Sequence, residues 1–182
     1  AQRVGLDVEP LVQNGSLRIE YPLQVESDGD EVAAELLEQI AKERFQRVVL
    51  DGTPYLEGAV LPAGRIRSYF LALVSLLRSA GVTSLFTKQI SKVIGPELDF
   101  SDTPLAAIAE NLLFLRHVEL EGRLHRVLSI LNLRDSIFDP SVREFVVTNG
   151  GLRVLEPFRS AAGLLTGQAR PLSAVNGSGG AS

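Results

Sequence analysis

Asp51 is the first residue in this sequence whose type and place together suggest chemistry. Val48, Val49 and Leu50 form a short continuous apolar run that stops at Asp51-Gly52. Such a run reads as a strand buried on both faces, and the C-terminal ends of strands are where open parallel sheets gather ligands. The Asp51 carboxylate can instead cap a turn ahead of Gly52. Thr87 closes a second apolar run, Val82 to Phe86, with Gln89 just behind it. Arg116, Arg123, Arg126 and Arg134 are spaced to make a modest basic face or a solvated strand edge. His117 and His125 have no further histidine, no cysteine and no tight carboxylate spacing around them, so no metal site is expected there. Ser101 and Thr103 belong to a Ser-Asp-Thr-Pro stretch that reads as a helix-entry turn.

The elements that must hold these residues follow from periodicity. Leu17 to Tyr21 alternates apolar and polar behind Asn14-Gly15, which predicts a turn and a half-buried strand. Asp28 to Asp30 offers N-cap oxygens to a helix with Val32, Leu36, Leu37 and Ile40 on one stripe, and Lys42 and Arg44 suit its C-terminal end. A second helix is expected with Ile66, Tyr69, Phe70, Leu73, Val74 and Leu77 on one face, ending at Gly81 in a left-handed turn. Val82 to Phe86 then reads as another buried strand. Strand and helix alternate through this half, a pattern that builds a parallel sheet with helical crossovers. The second half differs. Leu112 to Leu115, a turn at Glu121-Gly122, Val127 to Leu131, and Phe145 to Val147 meeting Val154 and Leu155 across Asn149-Gly150 predict an antiparallel meander appended to that sheet.

Composition removes several function classes. There are 22 acidic against 18 basic residues, so no strong positive field is available to hold a nucleic-acid backbone, and nucleic-acid binding is disfavoured. With no cysteine, disulfides and thiol catalysis are excluded, which an intracellular chain tolerates easily. The most apolar helical stretch, Tyr69 to Leu77, is closed by Arg67 and Arg78 and falls short of the roughly 20 residues needed to cross a bilayer. No signal peptide is visible, and a cytoplasmic location is expected. The chain opens on Ala1 and holds no methionine, from which a processed or excised piece is expected. A domain over residues 1–172 is anticipated, followed by a flexible tail over 173–182 where Gly, Ser, Ala and Asn dominate.

An ordered series of segments carries a family resemblance. Arg47-Val48-Val49-Leu50-Asp51, Leu115-Arg116-His117-Val118-Glu119, Leu131-Asn132-Leu133-Arg134-Asp135-Ser136 and Arg143-Glu144-Phe145 resemble the KaiC family, supported by Arg65-Ile66-Arg67-Ser68-Tyr69, Gly81-Val82-Thr83 and Gly163-Leu164-Leu165-Thr166-Gly167. The similarity runs from Gly5 to Pro171, matching the C-terminal part of such a domain. It implies an α/β fold, the RecA-like core of P-loop NTPases with antiparallel C-terminal strands, lacking the phosphate-loop strand. It also implies a ring homo-oligomer, usually hexameric, with ATP and Mg2+ held between subunits.

On that resemblance, Asp51 is similar to the Walker B carboxylate that orients the magnesium shell, and Thr87 to a sensor for the terminal phosphate. Arg134 is similar to the arginine of a Lys-x-Arg pair that reaches a neighbour's ATP, with Asn132 standing where the lysine would be and Ser136 following. Losing that second cation weakens the electrostatic contribution to hydrolysis. Asp135 beside Arg134 can instead form an ordinary strand-end ion pair. Ala106 and Ala107 stand where clock members of the family carry phosphorylated hydroxyls, so no autokinase cycle is expected there. The sequence holds no Gly-x-x-x-x-Gly-Lys-Ser/Thr pattern, so no run of backbone N–H groups is supplied for phosphates. The expected function is therefore part of a RecA-class ATPase in a regulatory assembly, inactive alone. The alternatives are a non-catalytic ring or scaffold module and a recombinase-like DNA-binding protein.

Overall fold

The computed structural model describes residues 4–21, 28–89, 105–134, 136–157, 161–162 and 170–171. Ser101, Thr103, Asp135, the segment 163–167 and the tail over 173–182 lie outside them. The chain divides into two units, one running Pro22–Ser91 with Ser101–Ile108, the other Ala1–Tyr21, Lys92–Phe100 and Ala109–Ser182.

The first unit alternates helix and strand. Helix α2, Gly29–Glu43, begins where Asp28 Oδ1 accepts the Asp30 N–H and ends at Arg44, whose φ of 59° is left-handed. This is the helix expected from its apolar stripe and its caps. Strand β1, Arg47–Asp51, follows. Helix α3, Pro54–Ala59, and a 3-10 turn, Ala63–Arg65, lead into helix α4, Ile66–Ser79. Strand β2, Thr83–Thr87, returns parallel to β1, in a register that sets Arg47 beside Thr83 and Asp51 beside Thr87. Helix α4 buries Tyr69, Phe70, Leu73 and Leu77, as its spacing predicts, and Gly81 has the expected positive φ of 72°. Neither α3 nor the 3-10 turn was expected, because Pro54 and Gly58 mask a short helical segment.

Phe70 is the centre of this core. It has no exposed surface and packs edge to face on Tyr69 at 5.5 Å and Phe86 at 6.0 Å between ring centroids. The Tyr69 hydroxyl donates to the Gly29 carbonyl at 2.8 Å, which ties α4 to the start of α2. Burial, then the nearby Asp30 and Asp28 carboxylates, push the Tyr69 phenol above its ordinary range.

The two strands are not buried on both faces, which corrects the expectation from their apolar runs. Val48, Leu50 and Phe86 pack on the core, whereas Val49 is 61% and Leu85 51% exposed. Side chains alternate across a strand, and the helical core covers one side of this two-stranded ladder.

The second unit is antiparallel. Strands β3, Asn111–Leu120, β4, Arg123–Leu133, β5, Arg143–Thr148, and β6, Gly151–Pro157, form a four-stranded sheet in that order. The expected meander is present, hydrogen-bonded as a sheet of its own. The β3–β4 hairpin turns at Glu121-Gly122, both with positive φ, 52° and 70°, as a tight two-residue turn requires. Phe145 pairs with Val154 across the Asn149-Gly150 turn. Both β3 and β4 are longer than their apolar runs suggested, because ladder pairing extends through His117, Arg126 and their polar neighbours. Short strands β7, Ala161–Ala162, and β8, Arg170–Pro171, pair antiparallel.

Residues 17–21 form no strand, a second correction. The Asn14-Gly15 turn forms as expected, with Asn14 Oδ1 accepting the Ser16 N–H at 2.9 Å. It closes a short helix, α1, Glu9–Gln13, and the Leu17 N–H donates to the Leu11 carbonyl. Alternation alone does not make a strand without a ladder to join. The basic face is a third correction. Arg123 lies opposite Leu120, two residues beyond Val118 and four beyond Arg116, whereas Arg126 lies opposite His117. Arg116 and Arg123 therefore share one face of the hairpin and Arg126 takes the other. Among the described residues no helix is long and apolar enough to cross a membrane.

Candidate functional site

The parallel register brings two of the singled-out residues together. Asp51 and Thr87 end neighbouring strands side by side, and the Thr87 hydroxyl donates to Asp51 Oδ1 at 2.5 Å. Thr87 Oγ1 in turn accepts the Gly52 N–H at 2.9 Å, and the Thr87 carbonyl accepts the Thr53 N–H at 3.0 Å. Three bonds thus bind the ends of two strands that are 36 residues apart in sequence. The turn at Gly52, with φ of 88°, lets the main chain fold back over the threonine. Asp51 therefore does not cap its own turn; its carboxylate is oriented by the next strand. Gln89 lies just beyond β2, exposed.

Two residues that sequence reading passed over complete this end of the sheet. Lys88 donates to both Glu57 oxygens, at 2.8 and 3.1 Å, and both side chains are mostly buried. This pair fastens α3 to the end of β2. No spacing signal could have found it, because the partners lie on different elements. Thr53 is fully buried, and its hydroxyl has no hydrogen-bond partner among the described residues. A buried hydroxyl left so costs about 1–3 kcal/mol, an expense borne at the turn that follows Asp51.

The remaining site residues lie in the antiparallel unit. Asn132 pairs with Leu112 at the end of β4, just past a register shift between Leu112 and Leu113. Bulges of this kind re-aim the residues that follow them. Arg134 donates its main-chain N–H to the Glu110 carbonyl at 3.0 Å, and its Nη1 lies 3.7 Å from Glu110 Oε1. The ion pair expected with Asp135 falls outside the described residues; Glu110 is the carboxylate the structure does place beside Arg134. Ser136 is exposed, its hydroxyl donating to the Ile137 carbonyl at 3.3 Å. Asn132, Arg134 and Ser136 thus follow one another out of a strand end, with one cation among them.

His125 Nδ1 lies 2.9 Å from Glu144 Oε1, and His117 faces Arg126 across the hairpin. Among the described residues no three His, Cys, Asp or Glu side chains gather as a metal site. Ala106 and Ala107 sit in a turn over residues 105–108 and offer no hydroxyl.

The residues present fit part of a magnesium nucleotide and not the rest. Asp51 is exposed at a strand end, and a carboxylate accepting one hydroxyl retains further acceptor sites, so it can hold water of a magnesium shell. A triphosphate needs convergent main-chain N–H groups ahead of a helix, and the sequence contains no glycine-rich loop of that kind.

The chain is similar in sequence to known proteins along most of its length. The family model described as "ATPase: KaiC" matches residues 1–159. The circadian clock protein KaiC3 of Synechocystis sp. is 27% identical over 166 residues, which cover 90% of this chain and 32% of that protein. The circadian clock oscillator protein KaiC of Thermostichus vulcanus is 27% identical, covering 90% of this chain and 31% of its own length. That of Parasynechococcus marenigrum is 25% identical over the same share. The chain thus spans about a third of the length of these relatives. A parallel strand pair with crossover helices, an antiparallel meander and a family match over most of the sequence lead to one conclusion: the chain belongs to the KaiC family of RecA-class ATPases.

Proposed function

We propose that this chain supplies part of a nucleotide site in a regulatory ring of subunits and is inactive alone. Asp51 orients water in the magnesium shell, and Thr87, whose one hydroxyl proton holds that carboxylate here, senses the terminal phosphate by turning that proton toward it. Arg134, flanked by Asn132 and Ser136, faces the phosphates of ATP bound by a neighbouring subunit and stabilises charge that develops there. Bound Mg2+ and ATP would supply the metal-held water shell and the phosphoryl group; this chain's residues orient and neutralise. The observation that carries the reading is the Asp51–Thr87 hydrogen bond between paired strand ends.

Self-association follows from the sheet. Strands β1 and β2 pair only with each other among the described residues, and open strand edges invite further pairing. A cytoplasmic, homo-oligomeric protein with one domain over 1–172 and a tail over 173–182 is the form in which we expect it to work. A scaffold reading without hydrolysis draws support from Asn132, which brings no charge to the place of the family's second cation.

The test is a titration of the chain with a fluorescent ATP analogue, with and without magnesium. No saturation in the micromolar range is expected. Adding a KaiC-family domain that carries its own phosphate loop should give magnesium-dependent hydrolysis that Asp51→Asn or Arg134→Ala in this chain lowers. Micromolar binding by the chain alone, or hydrolysis indifferent to both substitutions, overturns the proposal.

A further inference from the structure

Arg134 is held at two points by one residue. Its main-chain N–H donates to the Glu110 carbonyl at 3.0 Å, and its guanidinium lies 3.7 Å from the Glu110 carboxylate. Glu110 immediately precedes β3, and β3 pairs with β4 from Asn111 opposite Leu133 onward. The register shift between Leu112 and Leu113 falls within the same few residues. Ladder, bulge and main-chain bond together leave Glu110 and Arg134 facing each other at the open end of the hairpin.

Both side chains are well exposed, so their attraction adds little to folding. It matters more for an incoming anion. A ligand that approaches the guanidinium meets a carboxylate already beside it, and like charges at this range repel through water. Any phosphate oxygen that binds Arg134 must displace Glu110 or tolerate it.

We propose that Glu110 is the specificity-determining residue of this corner, an internal counter-ion that competes with phosphate for Arg134 and sets its anion affinity. The proposal rests on the phosphate reading of Arg134 given above. Because Glu110 is joined to Arg134 through the backbone as well, it stays close by when an anion takes the guanidinium, ready to recapture it.

The experiment follows the Arg134 Nε–Hε resonance in the full chain during titration with inorganic tripolyphosphate. Glu110→Gln keeps the size and an acceptor oxygen but removes the charge. It should shift the ligand-free resonance and tighten tripolyphosphate binding about two- to fivefold, the range an exposed pair can impose. Raised salt should erase the gain, and Glu110→Asp should retain the wild-type affinity. Equal or weaker binding by Glu110→Gln, with tripolyphosphate still moving the resonance, overturns the counter-ion role and leaves the phosphate reading standing. A resonance that tripolyphosphate moves in neither protein defeats the phosphate reading, and the competition falls with it. Glu110→Asp behaving like Glu110→Gln also counts against the proposal, since charge would then not be the cause.

Discussion

The helical unit and the antiparallel unit place their polar residues in opposite ways. In the first, Asp51, Thr87, Lys88 and Glu57 come from three elements and bond to one another across more than thirty residues of sequence. In the second, Asn132, Arg134 and Ser136 follow each other along one strand end, and a contact of Arg134 reaches back to the start of the paired strand. The first arrangement is built on a buried core centred on Phe70. The second depends on ladder register, and large apolar residues such as Leu113 and Leu115 remain about half exposed. The polar residues of the first unit are held over a packed helical core and those of the second along a paired ladder, where Val118 and Val127 are also buried, so the two sites should respond differently when perturbed.

The largest expected effect tests packing. Phe70→Ala removes a ring with no exposed surface and should cost about 3–5 kcal/mol, whereas Leu113→Ala, half exposed on β3, should stay within about 0.5 kcal/mol. Denaturant unfolding of both variants checks this; similar losses for the two would erase the contrast between the units.

Thr53→Val sharpens it further. The hydroxyl is fully buried with no partner among the described residues, so an isosteric apolar side chain should stabilise by about 1 kcal/mol, since an unsatisfied buried group costs 1–3 kcal/mol. Thermal unfolding reads the result. A destabilised Thr53→Val would show that the hydroxyl has work in the fold.

The smallest effect concerns acid. Asp139 accepts from Ser141 and Arg143, and these bonds, the Ser141 contacts first, hold its carboxyl well below the ordinary carboxylate value of 3.8. A depressed folded pKa adds stability that is complete above the unfolded value and disappears as pH falls through the folded one. Because Asp139 is exposed, Asp139→Asn should only slightly flatten the acid limb of the stability curve. An unchanged acid limb would mean that solvent screens the pair fully.

Much of the fold was legible. The caps of α2, the buried stripe of α4, the left-handed Gly81 and the two hairpin turns depend on neighbours in sequence, and each formed where its residues predicted it. Leu17 to Tyr21 misled because alternation is necessary for a half-buried strand but not sufficient. Of the site, Asp51 and Thr87 were legible as strand-end polar residues, yet their bond to each other was not, since it depends on which strands pair. Glu57, Lys88 and Glu110 carried no signal. A lysine or glutamate on a surface element looks the same whether it meets water or a partner.

The sequence by itself determined the two long helices and the strands and turns around them, the want of a glycine-rich phosphate loop and the identity of every group that can carry charge. These are properties of composition and short-range spacing, which need no fold to be read. Tertiary structure alone decided that Asp51 is oriented by Thr87, that Lys88 is bound by Glu57, and that Glu110 stands against Arg134. Hydrogen bonds and ion pairs act over a few ångströms, and only the parallel crossover and the hairpin register bring such distant residues within that reach.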